Sequence, residues 1–176
     1  MQFTALRIPG AYRVEPVAAE DERGYFARTW CADEFAAHGL CTHFAQTSIS
    51  FNVRKGTLRG LHFQCAPHGE AKLVRCTRGA IYDVLLDVRP CSATYGEWLS
   101  EELTEENSLQ LYIPEGVAHG FQTLRPDSEV LYMISKPHQA GFARGVRWDD
   151  PAFGVRWPDD MRTMAERDRQ YPEFVR

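Results

Sequence analysis

No run of apolar residues in this 176-residue chain approaches the roughly 20 needed to span a bilayer. Its start, Met1-Gln2-Phe3-Thr4-Ala5-Leu6-Arg7, has no basic stretch leading into an apolar one, so no secretory leader is expected. Cysteines are few, odd in number and without C-x-x-C spacing: Cys31, Cys41, Cys65, Cys76 and Cys91. That argues against a metal knuckle or a full disulfide framework and for free thiols in a reducing cytoplasm. Positive charge is in deficit, with 20 Lys and Arg against 24 Asp and Glu, a net charge of −4. No basic face accumulates, so neither nucleic acid nor a membrane is an expected partner, although Arg54-Lys55 leaves room for a small anion. Also missing are a βαβ rhythm, a fixed-period repeat and any low-complexity segment.

What is present is ordinary globular material, 44% hydrophobic and 25% charged. It is enough for a single domain over residues 1–176, with an N-terminal arm to about residue 30 and a C-terminal segment from about 148 packing on the rest. Strand-like runs recur at 44–51, 56–64, 71–77, 80–88, 98–103, 109–113, 120–124 and 130–135. Turn residues separate them at roughly 8–12 residue intervals, the spacing of a sandwich or barrel. The run Ile81 to Val88 is nearly all apolar and is expected inside a sheet. Short helices are expected over 32–39, stopped by Gly39, and over 161–169. The fold class is therefore all-β, a double-sheet jelly roll with short helices near both ends.

The stretch G-T-L-R-G-L-H-F-Q, Gly56 to Gln64, sets the functional question. Strict alternation puts Leu58, Gly60, His62 and Gln64 on one face and Arg59, Leu61 and Phe63 on the other. His62 is then either a satisfied core histidine or a ligand-facing one, with Gly60 giving room and Arg59 offering a fork for phosphate. Lys72 is either an edge-strand charge or, if its strand adjoins that of His62, a donor for a developing oxyanion. His119 follows the turn Pro114-Glu115-Gly116, and Tyr132 is either a cross-strand aromatic or a proton donor. His62, Glu70 and His119 form an imperfect metal set, because Gln64 stands where a second His of an H-x-H pair would be. Asp168 could fold back to hold a histidine tautomer.

Taken in order, D-E-R-G-Y-F, G-T-L-R-G-L-H-F-Q, K-L-V-R-C-T-R-G-A-I-Y-D-V with D-V-R, I-P-E-G-V-A-H-G-F and R-W-D-D-P…W-P resemble the dTDP-4-dehydrorhamnose 3,5-epimerases over about residues 5–170. The resemblance implies a cupin-type jelly roll needing no metal or other cofactor, usually a homodimer whose N-terminal arm crosses to the partner. It implies a nucleotide-diphosphate 4-keto sugar as substrate, epimerised at C3 and/or C5. His62 would be the general base, Asp168 its orienting partner, Tyr132 the acid on the opposite face, and Lys72 the enolate stabiliser with His119 beside it. Arg59 and Arg23 would grip the diphosphate, Arg23 from the neighbouring subunit, with Phe26, Gln46 and Ser48 also contacting substrate. Three positions depart from the pattern: Arg28 in place of a glutamate, Gln46-Thr47-Ser48 in place of Q-x-N, and Pro137 in place of a second tyrosine. They leave open the nucleotide (dTDP, CDP or GDP) and the choice between one inversion and two; the competing readings are a 3,4-ketoisomerase, a metal-dependent cupin enzyme and a non-catalytic sugar-nucleotide binding protein in which His62 is structural.

Overall fold

The structure is a computed structural model and describes residues 1–174. The chain opens with β1 (Gln2–Ala5) and β2 (Tyr12–Glu15), then a hairpin of β3 (Ala18–Asp21) and β4 (Gly24–Ala27), then helix α1 (Ala32–Ala37). Next come β5 (Gln46–Asn52), β6 (Leu58–Gln64), β7 (Lys72–Arg78) and β8 (Ala80–Asp87). The rest is β9 (Trp98–Thr104), β10 (Gln110–Ile113), β11 (Val117–Thr123), β12 (Ser128–Ile134), β13 (Ala143–Gly145) and α2 (Glu166–Arg169).

Two antiparallel sheets face each other, in the orders β1-β2-β10-β7-β12-β5 and β13-β6-β11-β8-β9. This is the double-sheet jelly roll anticipated above. Period-2 alternation explains how its core forms: Val74 and Cys76 of β7, Ile81 and Leu85 of β8, Val117 and Phe121 of β11 and Val130 of β12 all meet between the sheets. The outer faces are covered too. Phe35 of α1 packs with Leu73 and Tyr112 outside the six-stranded sheet, while Val84, Leu86 and Ala118 are covered by Val146, Phe153 and Trp157 outside the other. Burial of both faces is why β8 reads as one continuous apolar run.

β1 and β2 belong to the six-stranded sheet, so only the β3–β4 hairpin stands off as an arm. The expected C-terminal helix shrinks to the single turn Glu166–Arg169. Thr163 instead runs extended, its N–H donating to the Gly56 carbonyl and its carbonyl accepting from Leu58 N–H. All five cysteines are free thiols, and among the described residues no helix is long and apolar enough to cross a membrane.

Candidate active site

A cavity of about 710 Å³ opens between the sheets at the end where polar side chains replace aliphatic ones. His62 of β6, Lys72 of β7, His119 of β11 and Tyr132 of β12 line it, with Gln46 and Ser48 of β5, Arg59 and Asp168. Eight of the ten expected site residues therefore converge on one space. Arg23 and Phe26 do not: they sit on the β3–β4 hairpin, Phe26 being 79% exposed and Arg23 paired with Asp21 of the same hairpin.

The strict alternation expected for β6 fails, with a useful result. β6 pairs with β11 as His62 opposite His119 and Arg59 opposite Phe121, so β6 carries one extra residue. That bulge turns Arg59 to the same side as His62, and both reach the cavity. Gly60 sits at φ +114°, and a Cβ there would lie 2.5 Å from Gly120 Cα and 2.7 Å from the His119 carbonyl oxygen. Its missing side chain thus makes room for the neighbouring backbone rather than for a ligand.

The bulge also orients His62. Asp168, buried on α2, receives the Gly60 N–H on Oδ2 at 3.2 Å and binds His62 Nε2 through Oδ1 at 2.8 Å. A carboxylate only accepts, so Nε2 carries the proton and Nδ1 remains the basic nitrogen. Burial works to raise the Asp168 pKa, but the hydrogen bond and charge of His62, the Gly60 N–H and Arg167 outweigh it and hold the carboxyl below its ordinary value.

Lys72 reaches His62 by a route other than the expected one. β7 is an interior strand of the opposite sheet, neither adjacent to β6 nor at an edge. Its ammonium crosses the cavity end to donate to the His62 carbonyl oxygen at 3.1 Å and pairs with Glu70 at 3.1 Å. An ammonium has three donors, so one is left for a bound oxygen.

His119 rests on a residue that sequence reasoning passed over. Asp83 lies between Ile81 and Leu85 on the inner face of β8, fully buried, and its Oδ1 meets His119 Nε2 at 2.7 Å. The Tyr132 ring stands edge-on to His119 with centroids 5.8 Å apart. Burial first, then the charge of Asp83, push the Tyr132 phenol well above its ordinary value, while Arg59 pulls the other way. It is a phenol that stays protonated until a reaction draws the proton off.

Ser48 lies directly across the β5–β12 ladder from Tyr132, and Gln46 across from Ile134. Arg59 is aimed by Asn52, whose buried Oδ1 accepts from its Nε at 2.7 Å. Lys136, Arg144 and Arg167 add further positive charge around the cavity. Gln64 lines the cavity too, but its amide is engaged: it donates to the His68 carbonyl oxygen and accepts from Gln139 N–H, pinning the loop after β12. The metal set does not assemble. His62 is engaged by Asp168, His119 by Asp83 and Glu70 by Lys72. Among the described residues no group of three or more His, Cys, Asp or Glu is placed to hold a metal ion.

Two imidazole–carboxylate pairs, an ammonium and a phenol in one cavity are groups able to take up and deliver protons. Comparison with known proteins adds evidence from the whole chain: the family model for dTDP-4-dehydrorhamnose 3,5-epimerase matches residues 5–176. The chain belongs to that family. A relative of that name from Sinorhizobium fredii (strain NBRC 101917 / NGR234) is 43% identical over 99% of this chain and 90% of its own length. The crystal structure of the dTDP-4-dehydrorhamnose 3,5-epimerase of Elizabethkingia anophelis NUHP1 superposes with a TM-score of 0.95 at 35% identity, covering 99% of this chain and 96% of that one. The enzyme of that name from Bacillus anthracis str. Ames, solved with TDP and PPi bound, gives 0.95 at 34% identity, covering 98% and 99%. Family membership makes the chain an isomerase and its fold a cupin-type jelly roll.

Proposed function

We propose that this cavity inverts C3 and C5 of a dTDP-linked 4-keto-6-deoxyhexose. The reading is carried by one observation, the oriented His62–Asp168 pair sharing a cavity with the Tyr132 phenol and the Lys72 ammonium. Nδ1 of His62 takes the proton from a carbon beside the C4 ketone, and the C–H electron pair moves into the ring as an enolate. The Lys72 ammonium would supply the donor that the charged oxygen needs, with His119, its Nε2–H held by Asp83, beside it. Tyr132 then delivers a proton to the other face of the carbon, and solvent resets both residues. C3 and C5 flank the same ketone, so one device serves both.

The substrate's diphosphate would be held by Arg59 and by Arg23 of the partner subunit, with Gln46, Ser48 and the partner subunit's Phe26 as further substrate contacts. A homodimer is supported by the hairpin itself: two strands alone are marginal in water, and this pair exposes Tyr25 and Phe26. Edge strand β5 exposes Ile49 and Phe51 beside the cavity. Five free thiols suit a reducing cytoplasm.

Incubation with dTDP-4-keto-6-deoxyglucose in D₂O, followed by NMR, tests the reading. Deuterium at C3 and C5 is the expected outcome, abolished in His62→Ala. Deuterium at one carbon only would reduce the activity to a monoepimerase, and turnover confined to the CDP- or GDP-linked sugar would move the nucleotide. A product with its carbonyl shifted to C3 would make the protein a ketoisomerase.

A further inference from the structure

We infer that Tyr171 is a positioning residue for the His62 base, an assignment that rests on the functional reading above. On the β13 side, the residue across the ladder from His62 is Gly145. A Cβ on Gly145 would fall 2.1 Å from Cζ and 2.2 Å from Cε2 of Tyr171, so the phenol ring occupies the volume a side chain would otherwise fill. From that slot it meets the His62 ring edge to face, with centroids 6.1 Å apart and planes at 68°. Aromatic packing over a strand glycine is a known way to complete a sheet surface. Here the glycine's neighbour on the ladder is the base.

Tyr171 comes three residues after Asp168, immediately beyond α2. One short segment therefore holds the imidazole twice, by a hydrogen bond to Nε2 and by a ring wall. A single hydrogen bond leaves an imidazole free to swing about it; an edge-to-face contact from another direction removes that freedom. Proton transfer to a base misplaced by a fraction of an ångström is slower, with little effect on substrate binding. Tyr171 also lines the cavity, and burial pushes its phenol above the ordinary value, Arg167 opposing and Asp168 adding to the effect. It stands as a neutral wall beside the base.

The test compares Y171A, Y171F and G145A by kcat and KM for deuterium incorporation, with melting temperatures alongside. Y171A should lower kcat about tenfold with KM within about twofold, and Y171F should retain wild-type kcat. In G145A the new methyl group evicts the ring, so it should lose as much as Y171A, and adding G145A to Y171A should cost nothing more. In ¹⁵N-labelled protein the His62 ring signals should broaden in Y171A and stay sharp in Y171F. Unchanged kcat and His62 signals in Y171A, a Y171F as slow as Y171A, or additive losses would each overturn the assignment. The ring signals need no turnover. A wild type inactive on this substrate would sink the functional reading while the NMR comparison still decides the role of Tyr171.

Discussion

Asn52 shows how much of the chemistry depends on single side chains that touch no substrate. It is buried, its amide N–H groups donate to the carbonyl oxygens of Ser50 and Ser128, and its Oδ1 fixes Arg59. Asn52→Leu should free the guanidinium and raise KM about tenfold with kcat unchanged, the cost of one charge-assisted hydrogen bond at about 1.5 kcal/mol. Steady-state kinetics would check this; an equal fall in kcat would mean that Arg59 acts in the transition state. Asp87 makes a structural case with a pH signature. Burial opposes ionisation there, but Arg89, Ser92 and Thr94 prevail and bring its pKa down from 3.8 to about 2. A carboxyl depressed in the fold stabilises it above the unfolded value, and that contribution fades as pH falls through the folded one. Asp87→Asn should therefore lose about 2 kcal/mol at pH 7. In urea titrations the gap between variant and wild type should narrow below pH 3.8 and close near pH 2. Asn52 did not announce itself in the sequence, and Asp87 stood out only as part of the D-V-R motif, because a buried polar side chain differs from an exposed one only in its partners.

At the scale of elements, β6 and its bulge decide the site. The alternation that made His62 interesting put Arg59 on the wrong face, since period 2 holds only while the ladder is regular. Gly60 was legible as special, yet its reason lies in Gly120, 60 residues away, whose backbone fills the space. Gly60→Ala combines a positive φ with a backbone clash at 2.5 Å, so it should cost at least about 2 kcal/mol and lower the melting temperature by several degrees. A variant as stable as the wild type would show that the strand relaxes. The same limit hid Asp83. In an apolar run it reads as a tolerated polar position, and only the pairing of β8 with β11 brings it under His119. His62, Lys72 and His119 were legible because each stands within a recognisable motif, and Tyr132 because it interrupts an otherwise apolar run.

The whole molecule brings strands β5, β6, β7, β11, β12 and β13 of two sheets and a C-terminal turn to one cavity, and holds the β3–β4 hairpin apart from it. Hairpin β3–β4, with Arg23 in its turn and Phe26 on β4, does not reach the cavity of its own chain. If it completes a partner's site, Phe26→Asp should shift the protein toward monomer in analytical ultracentrifugation and raise KM at least tenfold, the range of a lost aromatic anchor. His62 of such a variant should keep its place, because the base and Asp168 share one chain. A variant that sediments and turns over like the wild type would mean the arm has another use.

Sequence alone determined the layered all-β architecture, since apolar alternation, turn spacing and buried central strands follow from local residue order. It also marked the ionisable groups that face inward. Tertiary structure alone decided their partners: Asp168 for His62, Asp83 for His119, Asn52 for Arg59 and Tyr171 in the slot of Gly145. Three of these four contacts link residues distant in the chain, and the fourth depends on where a bulge turns Arg59. Strand pairing and loop closure set such geometry, and no local pattern encodes it.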